Sequence, residues 1–359
     1  MKIIDRYIIT KFLTAFFFVV VMLVSVICVI DYTEKNDDFL HDNLTFWHVF
    51  TNYYIFLFPY FANLLAPITI FIAVVFVTSR LAARTELVAM LASGMSFERL
   101  LLPYTIGAAL IGAFAFGLIS YVIPMGTRRI VDFENKHVNE PWKYEGRDVH
   151  LRIGPRTYAY LQSYNADQNI GYRFALETID STILRRRLTA DAITWDSVKK
   201  AWKMTPQTVR TFHGPTGESL ALLPARDTVL NLYPKDFKST YRLAETLTSP
   251  ELNDLIANKI LRGSTDTAQY LSAKYERYAY PFDVVILTLI GVVLSARKSR
   301  AGVGGQIALG FVLAFIFIIF VMLSRNLASV GSLPPLLAAW VPGIVFSLIG
   351  LGLYRVVPK

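Results

Sequence analysis

Residues 12–30 read FLTAFFFVVVMLVSVICVI, a run of nineteen without a charge. Rising about 1.5 Å per residue as a helix, such a run crosses roughly 30 Å of hydrocarbon. Five more runs share its character, at 53–79, 100–124, 278–296, 306–324 and 336–354. Only the fourth contains a charged residue, Asp283, which lies near enough to one end to reach water. Residues 12–30 exceed a typical signal-peptide core and no small-residue cleavage site follows, so they are expected to stay as a helix. Composition agrees: 54% of the 359 residues are apolar and only 18% are Asp, Glu, Lys or Arg, against about a quarter in soluble domains. Disordered, collagen-like and small secreted classes are excluded. The single cysteine, Cys28, can neither form an internal disulfide nor build a cysteine metal site.

The excess of 36 basic over 27 acidic residues fits nucleic acid, an anionic membrane face or a phosphorylated substrate, and position decides between them. With the N-terminus inside, the inner flanks hold Lys2, Arg6, Lys11, Arg80, Arg84, Arg99, Arg297, Lys298, Arg300, Arg355 and Lys359, opposed only by Asp5, Glu86 and Glu98. The first outer loop has the reverse bias, with Asp31, Glu34, Asp37, Asp38 and Asp42 around Lys35. Basic residues mark the cytoplasmic side, so both termini are expected there, and no nucleic acid is expected as a partner.

Between the third and fourth runs lies a stretch long enough for one external domain. Val149, Leu151 and Ile153 alternate with His150 and Arg152, and Tyr172, Phe174 and Leu176 alternate with Arg173 and Glu177, the period of half-buried strands. Further strands are expected at 157–163, 183–195, 201–212 and 219–223, punctuated by Gly154-Pro155, 169–171 and the Gly214-Pro215-Thr216-Gly217 turn. Many short strands with such turns make a sandwich, jelly roll or barrel. At Ser249-Pro250-Glu251 the pattern becomes helical, with Ser249 as the expected cap. The organisation expected is therefore 1–124 (three spans and a cytoplasmic helix near 81–97), 125–277 (the β-domain, helical from 249) and 278–359 (three more spans).

Several chemistries are missing from the sequence. No P-loop motif occurs, so the chain is not expected to bind ATP by that route itself. The five histidines show no helical metal spacing, and no nucleophile elbow appears. Ionisable residues are nearly missing from the six runs, which argues against an ion-coupled transporter or an intramembrane protease. On the third run, Ala108 and Gly112, with Ala109, Ala113 and Gly117, read as a surface for close helix packing.

Residues 80–99, RLAARTELVAMLASGMSFER, form a short amphipathic helix ending at Gly94 between the second and third runs. One reading lays it on the bilayer, with Leu87, Met90 and Leu91 toward lipid and Arg80 and Arg84 toward phosphates.

A second reading comes from resemblance. The chain resembles the F/G-type permeases of the lipopolysaccharide export ABC transporter of Gram-negative inner membranes over essentially its whole length. The resemblance rests on Ile4-Asp5-Arg6-Tyr7-Ile8, on Ala66-Pro67, and on Ser79-Arg80-Leu81 through Glu86-Leu87-Val88-Ala89 to Ala92-Ser93-Gly94-Met95-Ser96. It continues with Gly302-Val303-Gly304-Gly305 and with residues 333–342, LPPLLAAWVP. Asp5-Arg6-Tyr7 and Ile30-Asp31-Tyr32-Thr33-Glu34 look more like the G-type.

The resemblance implies an α+β membrane protein with six transmembrane helices and a periplasmic β-jelly-roll-like domain between helices 3 and 4. It implies pairing with a second permease, a paralogue or a copy, on a cytoplasmic ATPase dimer, and no cofactor. Glu86 takes the place of the acidic residue that docks the coupling helix into the ATPase, with Arg84, Leu87, Met90 and Gly94 on the same segment. Lys35, Arg128, Arg129, Arg277 and Arg325 lie at the level where basic residues meet the lipid A phosphates of lipopolysaccharide. The β-domain would offer an apolar groove, with Tyr158, Tyr160, Tyr172, Phe174, Leu176, Leu184 and Leu188 as candidates that strand alternation also suits to an ordinary core. Its open edge would continue into a periplasmic β-jelly-roll bridge protein. Two rivals are a membrane-anchored sensory or binding module, which needs an output domain, and an interfacial lipid-modifying enzyme. The latter would need Asp283 and Arg277 as a catalytic pair, and these read better as a structural ion pair.

Overall fold

The computed structural model describes residues 3–138, 146–165, 168–180, 183–213, 217–234, 243–261, 267–296 and 302–356. Lys2, Arg297, Lys298, Arg300, Lys359 and the Gly214-Pro215-Thr216 part of the expected turn lie outside them. The chain divides into two compact units, one of Met1–Asn139, Ala244–Leu252 and Ala268–Lys359, the other of Glu140–Leu243 and Asn253–Thr267.

The first unit is helical. In chain order come α1 (Ile3–His41), α2 (Phe46–Val49), α3 (Ile55–Leu64), α4 (Ala66–Ala83), α5 (Glu86–Ala92), α6 (Phe97–Gly117) and α7 (Ile123–His137). After the intervening sheet the chain continues with α8 (Leu243–Thr246), α9 (Ser249–Leu261), whose residues from Asn253 on belong to the second unit, α10 (Thr267–Ser295), α11 (Gly302–Ser329) and α12 (Pro335–Val356). Six stretches among the described residues are long and apolar enough to span a membrane: α1, α4, α6 continuing into α7, α10, α11 and α12.

Two prolines shape these spans. The apolar run 53–79 is two helices rather than one, broken at Leu65 (φ −91°, ψ 0°). Pro67 has no N–H to bond the Asn63 carbonyl, and the Tyr280 hydroxyl of α10 donates to that carbonyl instead, at 3.1 Å. Farther on, a π-helical turn over Leu118–Val122 precedes Pro124, which cannot donate to Ser120, so the wider turn carries the helix past the proline into α7.

In lipid, helices associate through close contact rather than water exclusion, so small residues matter where backbones meet. A Cβ on Gly107 would lie 2.8 Å from the Phe12 ring of α1, and one on Gly112 would lie 3.0 Å from the Pro281 carbonyl of α10. Ala108 and Gly112 thus pack as expected, but Ala109, Ala113 and Gly117 are exposed on the neighbouring face of α6. The core between α1, α4, α6 and α10 is filled by Phe12, Ile70, Phe71, Val74, Tyr104 and Leu287. Within it the Thr78 hydroxyl donates to Tyr104 at 3.0 Å.

The second unit holds an antiparallel sheet. Its described strands are β1 (Gly146–Gly154), β2 (Thr157–Asn165), β3 (Ile170–Asp180), β4 (Ile183–Asp196), β5 (Ala201–Met204), β6 (Gln207–Phe212), β7 (Glu218–Leu223) and β8 (Arg226–Thr228). β1 to β4 pair in sequence, after which the sheet forks. The end of β4 pairs β5, which pairs β8, while its start pairs β6, which pairs β7. The expected strand 201–212 is therefore two strands, parted at Thr205-Pro206, because a proline inside the run removes a ladder donor. Trp202 is fully buried and its indole N–H donates to the Leu232 carbonyl at 2.8 Å. A Cβ on Gly171 would fall 2.1 Å from a methyl of the buried Leu161, so a side chain there would have to displace it.

The groove candidates divide by burial, and on β3 not by alternation, since Tyr172 shares its parity with Phe174 and Leu176. Phe174 and Leu188 are buried in the core and Leu176 packs against it, whereas Tyr158 and Tyr172 are exposed and the Tyr160 hydroxyl donates to Asp148 at 2.7 Å. Thr248, rather than Ser249, caps α9. Its N–H and hydroxyl both donate to Glu251, at 2.9 and 2.6 Å, the glutamate half of a capping box, one residue earlier than the Ser-Pro-Glu pattern implied.

Candidate functional site

The α4–α6 corner is shaped by two left-handed residues. Thr85, at φ 61°, turns the chain out of α4, a conformation costing about 1–3 kcal/mol for a β-branched residue. Gly94, at φ 88°, ends α5 at no such cost, and the Ser96 hydroxyl then caps α6 by accepting from the Arg99 N–H at 3.3 Å. Leu87 is buried among the helices, with Met90 and Leu91 packed on the same cluster. The stripe that the bilayer reading turned toward lipid therefore faces the protein interior. Arg84, Val88, Ala89 and Ala92 form the exposed side.

Glu86 opens α5, and its carboxylate is engaged within the chain. The Tyr7 hydroxyl of α1 donates to it at 2.7 Å and the Lys11 ammonium lies 3.8 Å away. Beyond α5, Arg99 meets the buried Asp5 of α1 at 2.8 Å, and Glu98 accepts from the Tyr354 hydroxyl of α12 at 3.1 Å. Sequence alone assigns no role to Tyr7, Lys11, Asp5 or Tyr354 at this corner. Its one signal is the four-residue spacing of Tyr7 and Lys11, which puts them on one face of α1.

At the other end of the helices, the five basic residues are all partnered. Arg128 donates from Nε to the Thr246 carbonyl at 2.6 Å and pairs with Glu251. Arg277 is buried and donates to the carbonyls of Ala244 and Leu247, both at 2.8 Å, and to the Ser249 hydroxyl at 3.0 Å. These two arginines converge on the 244–251 corner. The expected Arg277–Asp283 ion pair does not form: six residues apart, the two project from different faces of α10, and Asp283 lies against Gly343 of α12 instead. Arg325 pairs with Glu276, donating from Nε at 2.9 Å. Lys35 sits between Asp31 at 3.0 Å and Glu134 at 2.9 Å and contacts the Tyr53 hydroxyl. Arg129 lies over the Phe56 ring, 4.7 Å from its centroid, and is exposed.

Residues 6–356 match the family of the lipopolysaccharide export system permease LptF/LptG. The chain belongs to this family. No curated protein matches it individually. The match spans all six hydrophobic helices and the intervening sheet, so the α5 corner and the basic residues of α7, α10 and α11 belong to a multi-pass permease of a lipopolysaccharide export transporter.

Proposed function

We propose that this permease is the transmembrane subunit of an inner-membrane ABC transporter that extracts lipopolysaccharide and passes it through its β-domain to a periplasmic bridge protein. The family match over residues 6–356 is the observation that carries this reading. The permease supplies no catalytic residue, and ATP is hydrolysed by a cytoplasmic ATPase dimer. A second permease completes the complex, with this chain as the G-type half. The exposed face of α5, with Arg84 and Val88 beside Glu86, docks on the ATPase. At the periplasmic end, Arg129 and the outer sides of Arg128 and Arg325 meet lipid A phosphates through bidentate, charge-assisted hydrogen bonds. Arg277 and Lys35, held by their internal partners, position the helices around them. Tandem affinity purification of the native complex tests the assignment: recovery of an ATPase, a second permease and bound lipopolysaccharide is the expected result, and recovery of the permease alone would reject it.

A further inference from the structure

The first turns of α1 grip the α5 corner at both ends. Before α5, Tyr7 donates to Glu86 at 2.7 Å, and Lys11 lies 3.8 Å from the same oxygen. The Lys11 ammonium also contacts the Tyr7 hydroxyl and lies 4.0 Å from its ring centroid, so one cation orders the phenol that holds the carboxylate. After α5, Asp5 holds Arg99 at 2.8 Å. Helix α5 is thus anchored from below by Leu87 and at both flanks by a helix that does not adjoin it in sequence. Glu86 and Lys11 keep 28% and 37% of their side-chain surface, so a cation from outside can reach the carboxylate and compete.

We propose that Tyr7 and Lys11 form a clasp on Glu86 that transmits docking at α5 to the first membrane span. This rests on the reading of α5 as the ATPase-docking helix. A basic group of the partner that takes the carboxylate frees Tyr7 and Lys11, and α1 shifts relative to α4 and α6. Tyr7 and Lys11 act here as positioning residues, through Glu86.

Hydrogen exchange of α5 in the purified permease, without ATPase, tests the clasp itself. Lys11→Met and Tyr7→Phe should each raise α5 exchange several-fold, Glu86→Gln should add nothing further, and Lys11→Arg should restore protection. Unchanged exchange in Lys11→Met, or effects that multiply with Glu86→Gln, would overturn it. Transmission is tested in the full complex. Lys11→Met should retain the ATPase but lose lipopolysaccharide-stimulated ATP hydrolysis at least tenfold, with Lys11→Arg active. Normal stimulation in Lys11→Met would overturn the transmission. Failure of the wild-type permease to retain any ATPase would instead sink the docking reading, and the exchange experiment would still decide the clasp.

Discussion

Lys35 of α1 and Glu134 of α7 meet at 2.9 Å, with Asp31 a second carboxylate at 3.0 Å from the same ammonium. The pair joins the first span to the extension of the third, and both side chains are largely shielded, at 22% and 24% exposure. Lys35→Met leaves two carboxylates facing each other without a cation. The expected loss is about 1–3 kcal/mol, between the values for exposed and for buried pairs. Thermal unfolding in detergent should show it, and the combined Lys35→Met, Glu134→Gln variant should lose less than the sum of the single changes. Wild-type stability in Lys35→Met would show that the cation does not hold the helices together.

Glu86→Ala removes the carboxylate at the corner proposed to dock the ATPase. If the partner's cation seats there in a well-buried pair, the loss is roughly 3–5 kcal/mol, enough to lose the ATPase on purification or to uncouple its hydrolysis from transport. The permease should still insert, because Leu87 and the helical core are untouched. Full export by this variant would contradict the docking role.

Arg129 offers the cleaner test of the proposed lipid phosphate site, since Arg128 also pairs with the carboxylate that caps α9. Arg129→Glu should abolish export and leave the complex assembled, and a photocrosslinker at this position should capture lipopolysaccharide. A hydrogen bond from the guanidinium to a phosphate oxygen is worth about 1.5–3 kcal/mol, and charge reversal adds repulsion to its removal. Crosslinks to ordinary phospholipid, with near-normal export, would identify Arg129 as a bilayer anchor.

Cysteines placed at the exposed Val198 and Val88 in a Cys28→Ala background should react with an impermeant thiol reagent from opposite sides of the membrane. Labelling of both from one side would remove the six-span topology.

Acid should loosen the tie between the α1–α2 loop and the end of α7. The hydrogen bond from His137, at 2.6 Å, holds the Asp42 carboxyl below its usual range, with His41 adding to the effect. A depressed carboxylate pKa contributes stability that is present above the unfolded value of about 3.9 and lost as pH falls through the folded value. Asp42→Asn should therefore flatten the acid limb of the stability profile below about pH 4. An unchanged acid limb would show that the pairing carries no linkage.

The spans and the strands were legible because each is written in local sequence, as uninterrupted apolar length or as alternation. The interruptions were legible in principle too: Pro67 breaks the second span and Pro206 divides a strand, although both runs read as continuous by hydropathy alone. The partners of the charged residues were not legible. Glu134 lies 99 positions from Lys35, and Glu86 lies 79 from Tyr7, so no local period connects them. For the same reason Arg277 reads as an interfacial cation in sequence and becomes a buried brace of the 244–251 corner only once α8 and α9 fold against it.

The Tyr280 hydroxyl on the Asn63 carbonyl makes the second span a jointed lever whose pivot is pinned from the fourth. A phenol offers one directional bond, so the pin holds at one rotation of α10 and slips at others. Slipping would leave a bare carbonyl where no water replaces the donor, at a cost of about 1–3 kcal/mol. The bend between α3 and α4 and the rotational setting of α10 are thereby tied through a single hydrogen bond.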